Sequence, residues 1–153
     1  MKKIASLSIV CFIISGLFFI SCKKVDLNQL EYKNISKKGF LQAYVKKKGG
    51  DMVLWFQVLD QIDGKSTFNK IQEKAVTIDK YPAKIKENQW IIMLVNNRIE
   101  IRLSAYTAAK DFQDTDELKK FIKLFDLAGM GKVTGPKLKA EELEKFIPVL
   151  GGK

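Results

Sequence analysis

The chain has 153 residues, of which 46% are apolar and 29% charged, a composition typical of one globular domain and not of a disordered chain. It contains no histidine, and both of its cysteines lie within the first 22 residues, which excludes His-based catalysis and a disulfide framework for the folded part. The net charge is +10, but arginine, the preferred reader of phosphates and bases, occurs only at Arg98 and Arg102, so we predict no nucleic-acid partner.

Residues 1–21 have the pattern of an export signal. Lys2 and Lys3 form a positive head, and residues 4–20 contain no charged side chain. Charge returns at Lys23, directly after Cys22. A buried helix rarely begins behind a lysine pair at an N-terminus. An uncleaved membrane anchor is the other alternative, although about 20 apolar residues are needed to span a bilayer.

The residues before Cys22 resemble the lipobox of a bacterial lipoprotein precursor. That lipobox has an aliphatic residue three positions before the cysteine, a small or aliphatic residue two before, and a small residue directly before it. Ile20 and Ser21 match, whereas Phe19 departs in a way that the relaxed lipobox of spirochaete lipoproteins tolerates. The resemblance implies cleavage between Ser21 and Cys22 and acylation of Cys22 by chains such as palmitate.

The same resemblance implies a location. Acylated Cys22 would attach the chain to membrane lipid on the exported side of the cell envelope, since two or more acyl chains hold a protein firmly. In some bacteria, aspartate directly after the lipidated cysteine marks retention in the inner membrane. This chain has Lys23 at that position, which favours the outer membrane. The resemblance covers residues 1–24 and implies nothing about the domain behind them.

Residues 22–38 are predicted to be the lipidated N-terminus and a tether, whose last part could join the fold, because they are lysine-rich and only weakly patterned. Residues 39–150 are predicted to be a single domain. At its start, residues 40–45 and 52–59 are rich in aromatic and β-branched side chains, and Gly49-Gly50 lies between them. Two such runs around a glycine pair predict a β-hairpin.

The middle of the domain alternates between weak and strong patterns. Residues 66–78 predict a short helix capped by Ser66 and then a strand, and Tyr81-Pro82 predicts a turn before another short strand. Residues 90–95 are an unbroken apolar run, as in a central strand, and Asn96-Asn97 suits a tight turn. The next strand alternates, which predicts an inward face and an outward face that carries Glu100, Arg102 and Ser104.

The last third of the chain has helical spacing. Asp114 is a predicted N-cap with Glu117 at the capping-box position, and Gly129 is the predicted end of that helix. A shorter helix is predicted over residues 139–147, before Pro148. Strands first and helices last predict the α+β class, with an antiparallel sheet and C-terminal helices packed on one face.

Three motifs suggest a ligand but lack the required residues. The segment 63–67 contains Gly-Lys-Ser, yet Leu59 stands where a phosphate loop needs its first glycine. Asp60 and Asp63 do not have the spacing of a calcium loop. The glycines of segment 129–135 do not match a dinucleotide fingerprint. We therefore predict no cofactor and no metal site.

Two groups of side chains remain as candidate sites. Asp111, Asp114 and Asp116 could serve a carboxylate-dependent hydrolase, but negative charge at a helix N-terminus favours a structural role. Aromatic side chains could line a ligand groove or fill the core, and these are Trp55, Phe56, Trp90 and Tyr106. We predict no catalytic residue.

The predicted function is that of a membrane-anchored envelope lipoprotein whose domain binds a partner without catalysis. That partner would be another envelope protein, a lipid or glycan, or a host molecule such as a host protein if the domain faces outward. Two alternatives stay open: an anchored hydrolase that uses the carboxylates above, and a structural spacer of the envelope.

Overall fold

The structure of the protein is a computed structural model that describes residues 25–62, 66–87, 89–107 and 109–151. These residues form one seven-stranded antiparallel sheet with short helices at the C-terminal end of the chain. The predicted α+β class is therefore confirmed. Within this part of the chain, no helix has the length and apolar character needed to cross a membrane.

Consecutive elements are close in space, and every strand pairing is antiparallel. The strands are Leu30–Lys37 (β1), Leu41–Lys47 (β2), Met52–Asp60 (β3), Val76–Ile78 (β4), Tyr81–Lys86 (β5), Trp90–Val95 (β6) and Ile99–Ala105 (β7). The helices are Thr115–Ile122 (α1), Leu127–Met130 (α2) and Ala140–Leu143 (α3), with 3₁₀ turns at Leu27–Gln29, Thr67–Lys70, Lys110–Phe112 and Glu144–Phe146. The spatial order β1-β2-β3-β7-β6-β5-β4 places β7 at the centre.

The β6–β7 hairpin forms as its sequence predicts. Val95 pairs with Ile99 at the base of the turn, and Asn96 and Asn97 have φ angles of 51° and 53°. Two successive left-handed residues make a type I′ turn, whose twist matches that of the flanking strands. Asparagine tolerates this conformation better than most residues do, so the turn fixes the register of the two central strands.

Phe56 of β3 is the centre of the hydrophobic core, on the face of the sheet that the helices cover. It is fully buried, and its ring lies 4.9 Å from that of Phe125 and 6.4 Å from that of Phe121, measured between centroids. Leu118, Phe121 and Ile122 are buried together because they recur at helical spacing on one side of α1. Aromatic pairs of this kind each contribute about 0.5–1.5 kcal/mol beyond area burial, so the cluster holds α1 on the sheet.

The structure differs from the sequence-based expectation in the segment 22–38. Residues Leu30–Lys37, which the sequence assigns to the tether, pair with β2 as the first strand of the sheet. Leu30 is buried, and the half-buried ring of Tyr32 packs edge to face on Phe56 at 6.1 Å. A few well-placed apolar side chains thus hold this lysine-rich segment on the sheet.

Two predicted boundaries are wrong. The turn lies at Asp79 and Lys80 rather than at Tyr81-Pro82, because Asp79 takes up the left-handed conformation and Pro82 is accommodated near the start of β5. The first helix ends at Ile122, well before Gly129, which lies inside α2. The side chain of Asp126 accepts a hydrogen bond from the Gly129 amide, so a new helix begins there.

An ion pair between the buried Asp60 and the partly buried Arg98 joins the end of the sheet to the loop between α2 and α3. Arg98 donates from Nε and Nη2 to the two carboxylate oxygens of Asp60, at 2.9 and 2.7 Å. Arg98 also donates to the carbonyls of Gly135 and Pro136, and the amide of Leu138 donates to Asp60. Burial alone would raise the pKa of Asp60, but the bonds from Arg98 and Leu138 hold it below its ordinary value.

We expect Asp60→Asn to lower the free energy of unfolding by about 1–3 kcal/mol, because the variant removes the charged partner of the mostly buried Arg98 and weakens their two charge-assisted hydrogen bonds. The lowered pKa means that the pair stabilises the fold above the ordinary carboxyl pKa and loses this effect as pH falls through the pKa of the folded state. Urea unfolding, measured from pH 7 downward, should therefore give free energies of unfolding for the wild type and Asp60→Asn that approach each other below about pH 4. Lys37→Ala, which removes an exposed pair with Glu144, should cost less than about 1 kcal/mol.

Candidate functional site

The face of the sheet opposite the helices, called the outer face from here on, carries a row of side chains across four strands. Tyr44 of β2 pairs with Trp55 of β3, Trp55 with Ser104 of β7, and Ser104 with Trp90 of β6. Side chains directly opposite each other in paired strands point to the same face. The row therefore places two half-buried indoles on either side of a small hydroxyl residue.

A cleft of about 290 Å³ opens between the two tryptophans. Its lining residues are Trp55, Trp90, Ser104, Lys86, Glu87 and Gln89. Lys86 and Glu87 form an exposed ion pair with 3.8 Å between Nζ and Oε1, so the charges at the cleft cancel. The indole Nε1 of Trp90 is buried and has no hydrogen-bond partner within the described part of the chain. The cleft thus combines aromatic surface with a few polar side chains and one ion pair, an arrangement typical of small-molecule sites.

A chain of hydrogen bonds crosses the outer face beside the cleft. Gln42 donates to the Tyr44 hydroxyl at 2.6 Å, and Gln57 donates to the side-chain oxygen of Gln42 at 2.7 Å. Arg102 in turn donates to the side-chain oxygen of Gln57 and, from Nε, to Glu100 at 2.6 Å. These bonds fix the rotamers of the polar side chains, so the floor next to the cleft is rigid.

Glu100 is the most unexpected residue of this face, because it is fully buried rather than exposed. The hydroxyl of Ser66 donates to Glu100, and the amide of Phe68 donates to the same carboxylate at 3.1 Å. Lys84 donates to the carbonyls of Phe68 and Ile71 at 2.8 and 2.6 Å. Together these bonds hold segment 66–71 over part of the outer face, where it covers Glu100.

The predicted aromatic candidates divide between the two faces. Trp55 and Trp90 line the cleft, whereas Phe56 is fully buried in the core and Tyr106 packs against that core. Their positions follow from the two-residue period of β3 and from the end of β7. Sequence reasoning missed Glu100 as a site residue, although its neighbour Arg102, two positions on and hence on the same face, was a usable sign of a partner.

The predicted acidic candidates are not brought together into a site. Asp114 caps α1 by accepting from the Asp116 amide at 2.9 Å, and Asp116 is exposed and paired with Lys119. The hydrogen bond and charge of Lys119 lower the pKa of Asp116, which makes it a poor proton donor at neutral pH. The side chain of Asp111 lies outside the described part. Among the described residues, no group of three or more His, Cys, Asp or Glu side chains could hold a metal ion.

Several sequence predictions concern residues outside the described ranges. These are the signal segment 1–21, the cleavage and lipidation residues Ser21 and Cys22, and the Asp63-Gly64-Lys65 motif. The described chain begins at Val25, and Val25 and Leu27 line an apolar pocket of about 200 Å³ with Phe121 and Leu124 beside α1. The N-terminal end of the described chain therefore leaves the domain on the side that the helices cover.

Comparison with known proteins gives no relative for this chain: no family model, no curated protein and no solved structure matches it.

We expect Glu100→Gln to loosen segment 66–71. A glutamine would place its amide NH₂ against the Ser66 hydroxyl and the Phe68 amide, which are both donors. The lost hydrogen bonds should destabilise the docked segment by about 1–3 kcal/mol. Limited trypsin digestion should then cut faster after Lys70 and Lys74 than in the wild type, with little change elsewhere. Ser104→Ala, which alters the same face outside this cluster, should leave the cleavage rate unchanged. Equal rates in all three proteins would contradict the assigned role of Glu100.

Proposed function

We propose that this protein is an exported, lipid-anchored protein of the cell envelope whose single domain binds a ligand or partner through the outer face of its sheet. The anchor is Cys22, acylated after cleavage behind Ser21, and the outer membrane is the favoured location. The domain acts by binding rather than by catalysis.

The anchoring part of the proposal rests on the sequence Phe19-Ile20-Ser21-Cys22 behind an uncharged apolar run. Its physical basis is that acyl chains contribute about 0.8 kcal/mol for each buried methylene, so that two or more chains retain a protein on a membrane. The charge of Lys23 and Lys24 beside the anchor adds attraction to anionic headgroups.

The binding part rests on one observation, the cleft between Trp55 and Trp90 on the outer face. Large aromatic side chains on a surface are more common at binding sites than elsewhere, because they offer much contact area at a small entropic cost. Val25 and Leu27 pack on the opposite, helix-covered side. An anchor that leaves from that side keeps the outer face open to a partner.

We expect Cys22→Ala to abolish incorporation of radioactive palmitate and to release the protein from the membrane fraction. Cys11→Ala is the matched control, because it removes the only other cysteine of the chain and lies on the cleaved side. Cells that express each variant are labelled, fractionated and analysed by gel. If the wild type and both variants stay unlabelled and equally membrane-bound, the apolar segment is an uncleaved anchor and the proposal is wrong.

The binding surface has a test of its own in intact envelopes. A photoreactive amino acid in place of Lys86 lies at the cleft, whereas one in place of the exposed Lys123 lies directly after α1, on the helix side. Illumination should give a discrete adduct from position 86 and none of the same mass from position 123. Equal adducts from both positions, or none from either, would contradict a binding role for the outer face and leave a structural spacer.

A further inference from the structure

The cleft has properties that narrow the chemistry of its ligand. We propose that it binds a neutral saccharide, with one sugar ring held between the indoles of Trp55 and Trp90 above Ser104. This inference rests on the proposed function, because it names the ligand class of the same surface.

The geometry of the sheet sets the width of the site. Trp55 and Trp90 both pair with Ser104, one from each neighbouring strand. Adjacent strands lie about 4.8 Å apart, so the two tryptophan backbones are separated by about 10 Å. The serine side chain between them is small, which leaves space for a single ring. The volume of about 290 Å³ is at the lower end of small-molecule sites and fits one or two rings.

The surface chemistry of the cleft matches a sugar better than a flat apolar ligand. An indole face carries the negative part of a quadrupole, and it attracts the weakly positive C–H groups on one side of a sugar ring. The polar side chains of the cleft complement the hydroxyl groups of a sugar, since they can donate hydrogen bonds to them or accept hydrogen bonds from them. These side chains are Ser104, Gln89, Lys86 and Glu87.

The charge of the cleft argues for a neutral ligand rather than an acidic one. Lys86 and Glu87 are paired at the rim, with 3.8 Å between their charged atoms, and both are exposed. A carboxylate or phosphate placed there would meet the negative charge of Glu87 as well as the positive charge of Lys86. A neutral polyol can donate to Glu87 and accept from Lys86 without either penalty.

Tryptophan fluorescence tests this inference directly, because Trp55 and Trp90 are the only tryptophans of the chain. The full-length protein is purified in a polyoxyethylene detergent, since detergents with sugar headgroups would compete. It is titrated with β-1,4-linked trimers of glucose, of N-acetylglucosamine and of galacturonic acid, and with a flat apolar dye. We expect at least one neutral trimer to shift the emission in a saturable way, and the acidic trimer to bind more weakly.

Variants of the outer face provide the controls. Trp55 belongs to neither apolar cluster of the fold, so Trp55→Ala should preserve the fold and weaken binding about tenfold, with Trp90 still reporting. Trp55→Phe should retain most of the affinity because it keeps an aromatic face. Tyr44→Ala, which removes a neighbouring ring outside the cleft, should change binding of the neutral trimer by less than about threefold. Lys86→Gln removes the positive charge of the rim and tests whether any binding of the acidic trimer depends on that charge. Circular dichroism melting confirms that each variant is folded.

Four results would overturn the saccharide assignment: no saturable shift with any neutral trimer, preference for the dye, acidic binding that Lys86→Gln abolishes, or equal losses in Trp55→Ala and Tyr44→Ala. These results are distinct from failure of the proposed function. If the position-86 adduct forms in envelopes while no trimer binds, the outer face binds another class of partner. If palmitate labelling fails while a trimer binds, the cleft assignment stands without the anchor.

Discussion

A single antiparallel sheet has two faces, and in this chain the C-terminal helices cover only one of them. The ring of Phe56 marks the covered side, where α1 and the segment after it pack through Phe121 and Phe125. The features of the outer face depend on how this uncovered face is made compatible with water. Strand alternation gives this face a mixture of polar and apolar side chains. It therefore needs cover over its apolar part and hydrogen-bond partners for its polar part, rather than a second layer of helices.

Both features occur on the outer face, in neighbouring places. Segment 66–71 covers the apolar end, where Phe68 packs against Ile92 and Leu94 and leaves Glu100 buried beneath it. At the polar end, which no segment covers, a chain of side-chain hydrogen bonds from Arg102 to Tyr44 pairs the polar groups with one another. The tryptophan cleft lies between these two features. Trp90 packs against the cluster of Phe68, and Trp55 pairs with Tyr44 at the end of the hydrogen-bond chain, so that both indoles stay half-buried with part of their surface open.

Local patterns predicted the fold class because they decide local structure. The run 90–95, the Asn96-Asn97 turn and the cap at Asp114 all act between residues close in sequence, and each is found as predicted. The burial of Glu100 was predicted wrongly because the segment that covers it lies more than thirty residues away in the chain. The alternation of β7 says only which face a side chain occupies. It cannot tell which part of that face another segment will cover.

The early start of β1 also limits how far the domain can stand from its anchor. If Cys22 is held at the membrane, only residues 23–29 separate it from Leu30, and the last three of them form a 3₁₀ turn. Four extended residues and one such turn span at most about 20 Å. That distance is shorter than the diameter of a domain this size, whose radius of gyration is about 14 Å. The domain would therefore remain in the layer next to the bilayer surface, and any partner would have to come to that layer.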